Sequence, residues 1–139
     1  MPTEPPIRPT DDAALTSVVE RFLDAFNRAD LAAMRSCLAD DLTAGITNAS
    51  GGSSEVTGAD SFMASIAAMD LPSAQFRVSL TQAPVVVGDR VLVMVEVHAA
   101  RTGRTLHNYA AHLLRVQDGR ITAYNMVEAK PAESDAFWS

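Results

Sequence analysis

The sequence has little of several features that would narrow its function. It contains one cysteine, Cys37, so no disulfide within the chain is possible. Its single lysine, Lys130, and its formal net charge of −6 argue against the basic surface that nucleic-acid binding requires. No apolar run approaches the roughly 20 residues of a membrane span, and residues 1–10 lack the apolar segment of a signal peptide. We therefore expect a cytoplasmic protein that binds neither nucleic acid nor membrane.

The first half of the chain is predicted to be mainly helical. Four prolines within residues 1–10 indicate a flexible extension, so we assign a single folded domain to residues 11–139. Within that domain, apolar residues recur at three- and four-residue spacing in three segments. The predicted helices are the segment that starts at Asp11, residues 31–38 and residues 59–69. Asp30 precedes the second helix and can cap its N-terminus.

The pattern then changes from helical to β-type. Residues 42–47 have the pattern of a strand, and residues 48–58, NASGGSSEVTG, are rich in glycine and serine, which predicts a mobile loop. The second half contains four runs rich in β-forming residues. These runs span residues 75–87, 90–100, 105–116 and 120–128.

Short turns connect these runs and set their register. If the turns at residues 88–89, 102–103 and 118–119 have two residues each, three facing pairs follow. The pairs are Val86 with Val91, Ala100 with Thr105, and Val116 with Ile121. Because side chains alternate along a strand, this register gives the sheet one apolar face and one mixed face. Helices followed by an antiparallel sheet predict an α+β fold in which the helices cover the apolar face.

Three polar residues interrupt the predicted apolar face: Gln82, His112 and Asn125. The register places His112 directly opposite Asn125, with their Cβ atoms about 5 Å apart. A buried polar group without a partner costs on the order of 1–3 kcal/mol. The three residues therefore indicate either a core cluster of mutual hydrogen bonds or a small-molecule site. The predicted wall around them contains Val93, Val95, Ala110 and Val127.

Two kinds of function are compatible with such a pocket. In an enzyme, His112 would transfer protons, because its unperturbed pKa is near neutral, and Asn125 and Gln82 would position a carbonyl or hydroxyl group. In a non-catalytic protein, the same residues would bind an apolar ligand with one polar end, or would fill the core of a dimeric interaction module. No carboxylate joins them on the predicted apolar face, and Asp40 and Asp41 are expected to be solvated.

The mixed face is predicted to form the interface of a homodimer. Its apolar patch is larger than a monomer usually exposes. The patch contains Leu92, Met94, Ala111, Leu113, Tyr124 and Met126. His98 and His107 face each other on the same surface, but two histidines without a third ligand do not predict a metal site. We expect Cys37 to be a buried, inert thiol and Trp138 to pack at the dimer seam rather than across the cavity mouth.

Three stretches of the sequence resemble a known superfamily. They are residues 18–42, VVERFLDAFNRADLAAMRSCLADDL, residues 112–121, HLLRVQDGRI, and residues 134–139, SDAFWS. The chain resembles the nuclear transport factor two-like superfamily and, within it, the SnoaL-like branch of ketosteroid isomerases and polyketide cyclases. Its ending is similar to that of an uncharacterised bacterial subgroup. The resemblance implies a cone-shaped fold, in which three N-terminal helices pack on a highly curved, mostly antiparallel sheet. It also implies a pocket for an apolar small molecule, no cofactor, and a dimer formed through the outer sheet face.

The resemblance also bears on the chemistry. Ketosteroid isomerases use a tyrosine in the first helix, an aspartate base and a protonated aspartate, and the corresponding positions here are Phe22, about Ile46 and His112. These departures argue against steroid isomerisation by that mechanism, and the Asp-Arg-Asp cluster of the epoxide-hydrolase branch cannot be placed. We therefore predict a cofactor-independent isomerase-like or cyclase-like protein, with His112 as the catalytic residue and Phe22 in the pocket wall.

Overall fold

Two helices, a β-hairpin and a third helix precede five consecutive strands and a short C-terminal helix. The computed structural model describes residues 9–139, with side chains from residue 12, so the predicted extension lies outside the described residues up to residue 8. The elements are α1 Pro9–Asn27, α2 Leu31–Ser36, β1 Leu38–Thr47, β2 Ser53–Thr57, α3 Ala59–Ala67, β3 Arg77–Leu80, β4 Val85–Val87, β5 Arg90–Arg101, β6 Arg104–Gln117, β7 Arg120–Glu128 and α4 Pro131–Trp138. A 3-10 turn at Leu71–Ala74 precedes β3.

The three predicted N-terminal helices are present and pack on one face of the sheet. Their buried sides include Phe22 of α1, Met34 of α2 and Phe62 of α3, which belong to one hydrophobic core with the sheet. The predicted cap is confirmed, because Oδ1 of Asp30 accepts a hydrogen bond from the backbone N–H of Ala33 at 3.0 Å. No helix within residues 9–139 is long and apolar enough to cross a membrane.

The sheet is curved and mostly antiparallel, as predicted, in the order β2-β1-β7-β6-β5-β3, with β4 also paired to β5. Only the β1–β7 pair is parallel among the described strands. The prediction of a mobile loop over residues 48–58 is wrong, because β2 forms a hairpin with β1. Oδ1 of Asn48 organises its turn by accepting hydrogen bonds from the backbone N–H of Ser50 and of Gly52 at 3.1 and 3.0 Å.

The three predicted facing pairs are confirmed. At the last turn, Asp118 and Gly119 have φ values of 52° and 74°. Positive φ at both central residues is what a two-residue type I′ turn requires. The hairpin between β6 and β7 therefore starts in the predicted register.

That register changes after the first two pairs. Val116 pairs with Ile121, but the next pair is Arg115 with Ala123, which leaves Thr122 as an extra residue in β7. A one-residue bulge of this kind turns every later side chain of the strand to the opposite face of the sheet.

The bulge overturns the predicted pairing of His112 with Asn125. His112 is opposite Met126, and Asn125 is opposite Leu113. Tyr124, Met126 and Glu128 therefore face the helices, whereas Asn125 and Val127 face outward. The larger apolar side chains of β7 are thereby buried, at the expense of an ideal hydrogen-bond ladder at Thr122.

Candidate functional site

A cavity of about 290 Å³ lies between the helices and the inner face of the sheet. Most of its wall is apolar, and a few polar groups converge on it, which is the usual composition of a small-molecule site. The helices α1 and α3 contribute Leu23, Phe26, Phe62, Ser65 and Ile66. The strands contribute Ile46, Thr47, Val78, Val97, Leu106, His112, Tyr124, Met126 and Glu128. The remaining lining residues are Ala49, Met69 and Phe76, with Pro131, Ser134, Asp135 and Trp138 of α4.

The central polar pair of the cavity is His112 with Tyr124. The hydroxyl oxygen of Tyr124 lies 2.6 Å from Nδ1 of His112, and both side chains are buried. The Tyr124 ring is held between Phe22 and Phe62, at centroid distances of 5.6 and 5.4 Å. Aromatic packing therefore fixes the ring whose hydroxyl fixes the imidazole.

Burial makes this pair neutral near neutral pH. It lowers the pKa of His112 to about 4 and raises the pKa of Tyr124 above its usual value of 10. We assign the tyrosine hydroxyl as the donor, because a phenol is a stronger acid than the N–H group of a neutral imidazole. Nδ1 of His112 then accepts, and the proton of the imidazole is on Nε2.

Nε2 of His112 is available to a ligand. Among residues 12–139, Nδ1 is the only nitrogen of this imidazole that has a hydrogen-bond partner in the protein. No inaccessible side-chain nitrogen or oxygen in that range lacks a hydrogen-bond partner. Because Nε2 has no such partner, it must be accessible from the cavity. It presents an N–H donor to the cavity.

Glu128 supplies the carboxylate that was not predicted for the inner face. Oγ of Ser134 donates a hydrogen bond to its Oε1 at 2.9 Å. Desolvation raises the pKa of Glu128, and the hydrogen bond from Ser134 partly opposes that shift. Oε2 has no protein partner among the described residues and is open to water or a ligand.

The backbone around Glu128 is held by Thr47 of β1. Oγ1 of Thr47 donates to the carbonyl oxygen of Met126 at 2.9 Å and accepts from the backbone N–H of Glu128 at 3.2 Å. His112 pairs with Met126 of β7. Glu128 is two residues beyond Met126 on the same strand, and its side chain is on the same face of the sheet. Diagonal neighbours of this kind have their Cβ atoms roughly 7 Å apart, so one small ligand can reach both side chains.

Of the predicted site residues, only His112 lines the cavity. Phe22, Val93, Val95 and Ala110 are buried core residues that do not line it. Asn125 and Val127 were predicted to face inward and instead face outward because of the bulge, and Val127 is 68% exposed. Gln82 is exposed in a bend between β3 and β4, because the predicted strand 75–87 is interrupted there.

The functional residues that were missed depend on the bulge and on α4. Tyr124 and Met126 were placed on the outer face by the unbroken register. A signal was present in the sequence, because that register buried Asn125 and exposed two larger apolar residues. Trp138 was expected at the dimer seam but lines the cavity, with its ring 6.0 Å from Phe76. Arg101 lies against it, with Cζ 5.1 Å from the indole centroid.

The other candidates lie away from the cavity. Cys37 is buried, as expected. Asp40 is exposed and paired with Arg35 at 2.6 Å, and Asp41 is also exposed. His98 and His107 face each other on the outer surface, as predicted. The carboxylate of Glu96 lies beside them as a third group that could ligate a metal ion.

Comparisons with known proteins agree with the fold. The SnoaL-like domain model matches residues 19–124. Uncharacterised proteins of Mycobacterium tuberculosis and Mycobacterium bovis are each 31% identical over 134 residues, covering 94% of this chain and 99% of theirs.

Solved structures with this architecture include proteins named for different activities. An LEH-like epoxide hydrolase of M. tuberculosis has a TM-score of 0.74 and 21% identity, with 90% of each chain covered. A candidate polyketide cyclase of Xanthomonas campestris pv. campestris has a TM-score of 0.71 and 24% identity, with 91% of this chain and 98% of that chain covered. At these identities the structures establish the fold alone. By its family match, which spans more than half of its length, this chain belongs to the SnoaL-like family.

Proposed function

We propose that this protein is an enzyme of the isomerase or cyclase type, which moves a proton on a small, apolar, carbonyl-bearing substrate without a cofactor. The observation that carries the proposal is the opening of two complementary groups into one apolar cavity: the carboxylate of Glu128 and the Nε2–H of His112. Solved structures of the same fold include an LEH-like epoxide hydrolase and a candidate polyketide cyclase, which supports an enzymatic role.

Glu128 is the proton acceptor in this proposal. Its raised pKa makes the ionised carboxylate a stronger base than a solvated glutamate. It removes a proton from the carbon next to the substrate carbonyl, and the electron pair of that C–H bond moves onto the carbonyl oxygen. Where the enolate is conjugated with a C=C bond, Glu128 returns the proton to the far carbon and gives an isomer. Where the enolate carbon attacks a second carbonyl of the same molecule, a ring forms, and Glu128 returns the proton to the alkoxide oxygen produced by that attack.

His112 stabilises the negative charge that develops on oxygen. Its Nε2–H donates a hydrogen bond to the carbonyl oxygen, and the low polarity of the cavity strengthens that bond as charge accumulates. The role is that of a neutral donor, because a pKa of about 4 leaves little imidazolium near neutral pH. Tyr124 is a positioning residue, since its hydroxyl keeps the proton of His112 on the nitrogen that faces the ligand.

A second candidate is a non-catalytic protein that binds an apolar ligand with one polar end. The predominantly apolar wall favours it, since only a few polar groups face a cavity of about 290 Å³. Both candidates use the same donor at His112. They differ in whether Glu128 moves a proton.

The experiment uses 2-tetralone, a small apolar ketone, as the probe in deuterated water. Proton NMR follows the loss of the hydrogens next to the carbonyl, and fluorescence of Trp138, the only tryptophan, reports binding. We expect exchange above the buffer rate, lost in Glu128→Gln and weakened in His112→Leu. Glu133→Gln, an exposed glutamate of α4, is the matched control and should keep the wild-type rate.

The outcomes separate the two candidates. Fluorescence changes without exchange would favour the non-catalytic binding protein. Exchange that persists in Glu128→Gln would contradict the role of Glu128, and the absence of both binding and exchange would contradict the pocket proposal for this substrate class.

We also propose a cytoplasmic homodimer that packs through the outer sheet face. The bulge removes Tyr124 and Met126 from that face, but Leu113 and Val127 remain 40% and 68% exposed there. Light scattering should give the mass of a dimer for the wild type and of a monomer for Leu113→Glu. A monomeric wild-type protein would contradict this part of the proposal.

A further inference from the structure

A second polar cluster lies on the outer face of the sheet, separate from the cavity. In the β5–β6 pairing, His98 is opposite His107, and Glu96 is opposite Tyr109. Side-chain alternation places all four on the outer face, because Val95 and Ala110 beside them are buried on the inner one. The strand register thus brings two imidazoles and one carboxylate to one surface patch.

The nitrogen atoms of this cluster converge on one oxygen. Nε2 of His107 lies 2.6 Å from Oε2 of Glu96, and Nε2 of His98 lies 3.2 Å from the same oxygen. The imidazole rings are stacked, with centroids 4.3 Å apart and an interplanar angle of 11°. One ligand atom from each of the three residues lies within 4.8 Å of the others. In a tetrahedral zinc site, ligand atoms are about 3.3 Å apart, and small side-chain movements would bring the three ligand atoms of the cluster to this spacing.

We infer that Glu96, His98 and His107 form a binding site for a divalent transition-metal ion, with Zn²⁺ as the best match. Imidazole nitrogen and carboxylate oxygen are typical zinc ligands, whereas Mg²⁺ and Ca²⁺ prefer oxygen ligands alone. Three protein ligands leave one coordination position for water. Tyr109, whose hydroxyl donates to Oε2 of Glu96 at 3.3 Å, orients the carboxylate from outside the ligand set.

The charge around the cluster is mixed. Glu96 supplies the negative charge that favours a divalent cation. Arg77 lies opposite His98 on β3 and adds positive charge to the same edge of the patch. Lys130 is turned toward the backbone, where its Nζ donates to the carbonyl oxygen of His107 at 3.3 Å. The side chains of His98 and His107 are about half-exposed and that of Glu96 is 30% exposed, so the ion can enter directly from solvent.

The test is a calorimetric titration of the metal-stripped, full-length protein with ZnCl₂ near neutral pH, and with MgCl₂ in parallel. We expect one Zn²⁺ per chain and no Mg²⁺ binding. His98→Asn, His107→Asn and Glu96→Gln should each weaken Zn²⁺ binding by more than the roughly 10–100-fold that loss of an outer-shell partner costs. Glu55→Gln, an exposed glutamate on β2, is the matched control and should bind as the wild type does.

A spectroscopic readout identifies the ligands independently. Co²⁺ in a tetrahedral nitrogen and oxygen environment absorbs visible light, and we expect these bands in the wild type and their loss in the double variant His98→Asn, His107→Asn. Circular dichroism checks that the variants are folded, and the double variant keeps His112. Equal Zn²⁺ affinity in the wild type and the double variant, or no Zn²⁺ binding by the wild type, would overturn the inference.

Discussion

The hydroxyl oxygen of Tyr124 lies 2.6 Å from Nδ1 of His112, although an unbroken hairpin register would place the two side chains on opposite faces of the sheet. One extra residue in β7, Thr122, brings them together. The pairing sets the protonation of His112 and leaves its Nε2 facing the cavity. It is therefore the contact whose removal should have the clearest consequences.

Tyr124→Phe should destabilise the protein. The substitution keeps the aromatic packing against Phe22 and Phe62 but removes the partner of a buried nitrogen. The expected loss in the free energy of unfolding is about 1–3 kcal/mol, measured by urea denaturation. Tyr109→Phe on the exposed outer face is the matched control, with an expected change within about 0.5 kcal/mol. Equal stability of the two variants would show that the Tyr124 hydroxyl is not the partner of His112.

The imidazole of His112 should remain neutral until strongly acidic pH. An NMR titration of its ring proton should have a midpoint near pH 4, below its usual value of 6.5, because desolvation disfavours the imidazolium. Assignment through His112→Gln identifies the resonance. A midpoint close to 6.5 would mean that water reaches the ring freely.

The same shift predicts how stability depends on pH. The unfolded chain binds the proton more tightly, so this contribution to stability is complete above pH 6.5 and is lost as the pH falls toward about 4. Between these two pH values, the free energy of unfolding should fall by on the order of 3 kcal/mol through this group. It is measured as the pH-dependent part of the stability difference between the wild type and His112→Gln. A difference that does not change across this range would contradict the shift.

Ser134→Ala should move the pH profile of catalysis rather than abolish catalysis. The hydrogen bond from Ser134 stabilises the ionised form of Glu128, so its loss should raise the pKa of that carboxyl further. The acid limb of the tetralone exchange profile should then shift to higher pH. Ser61→Ala, an exposed serine of α3, is the control and should leave the profile unchanged. An unmoved acid limb in Ser134→Ala would indicate that Glu128 is not the base.

Truncation of two adjacent residues of β7, Asn125 and Met126, should have different effects on stability. Asn125→Ala should change the free energy of unfolding by less than about 0.5 kcal/mol and leave ligand binding unchanged, because Asn125 faces outward. Met126→Ala should cost at least about 1 kcal/mol, because Met126 packs against the core and lines the cavity. A larger loss of stability in Asn125→Ala than in Met126→Ala would support the unbroken register and contradict the bulge.

The local patterns predicted most of the architecture. Helical periodicity predicted α1, α2 and α3, and the residue type of Asp30 predicted the cap of α2. Both features depend on residues three or four positions apart. The turn at residues 118–119 was also predictable, since an Asp-Gly pair readily takes positive φ at both positions. The strand after that turn was predicted with correct bounds but with its later side chains on the wrong face.

The candidate site was only partly predictable. His112 was identified because β6 is regular from its first turn to the cavity. Glu128 was missed because its face depends on Thr122, and a bulge depends on how well a whole strand packs, which the turn residues do not specify. Trp138 and Ser134 were missed as cavity residues because α4 reaches the cavity only through long-range packing, including the contact of Arg101 with Trp138.

By itself, the sequence determined the α+β order of elements, the hairpin turns and the inward position of His112, because short-range periodicity and turn chemistry are properties of neighbouring residues. Only the tertiary structure decided that Tyr124 and Glu128 join His112 and that Asn125 does not. The physical reason is that burying Tyr124 and Met126 against the helices favours a bulge at Thr122, and one extra residue reverses the faces of every residue that follows it.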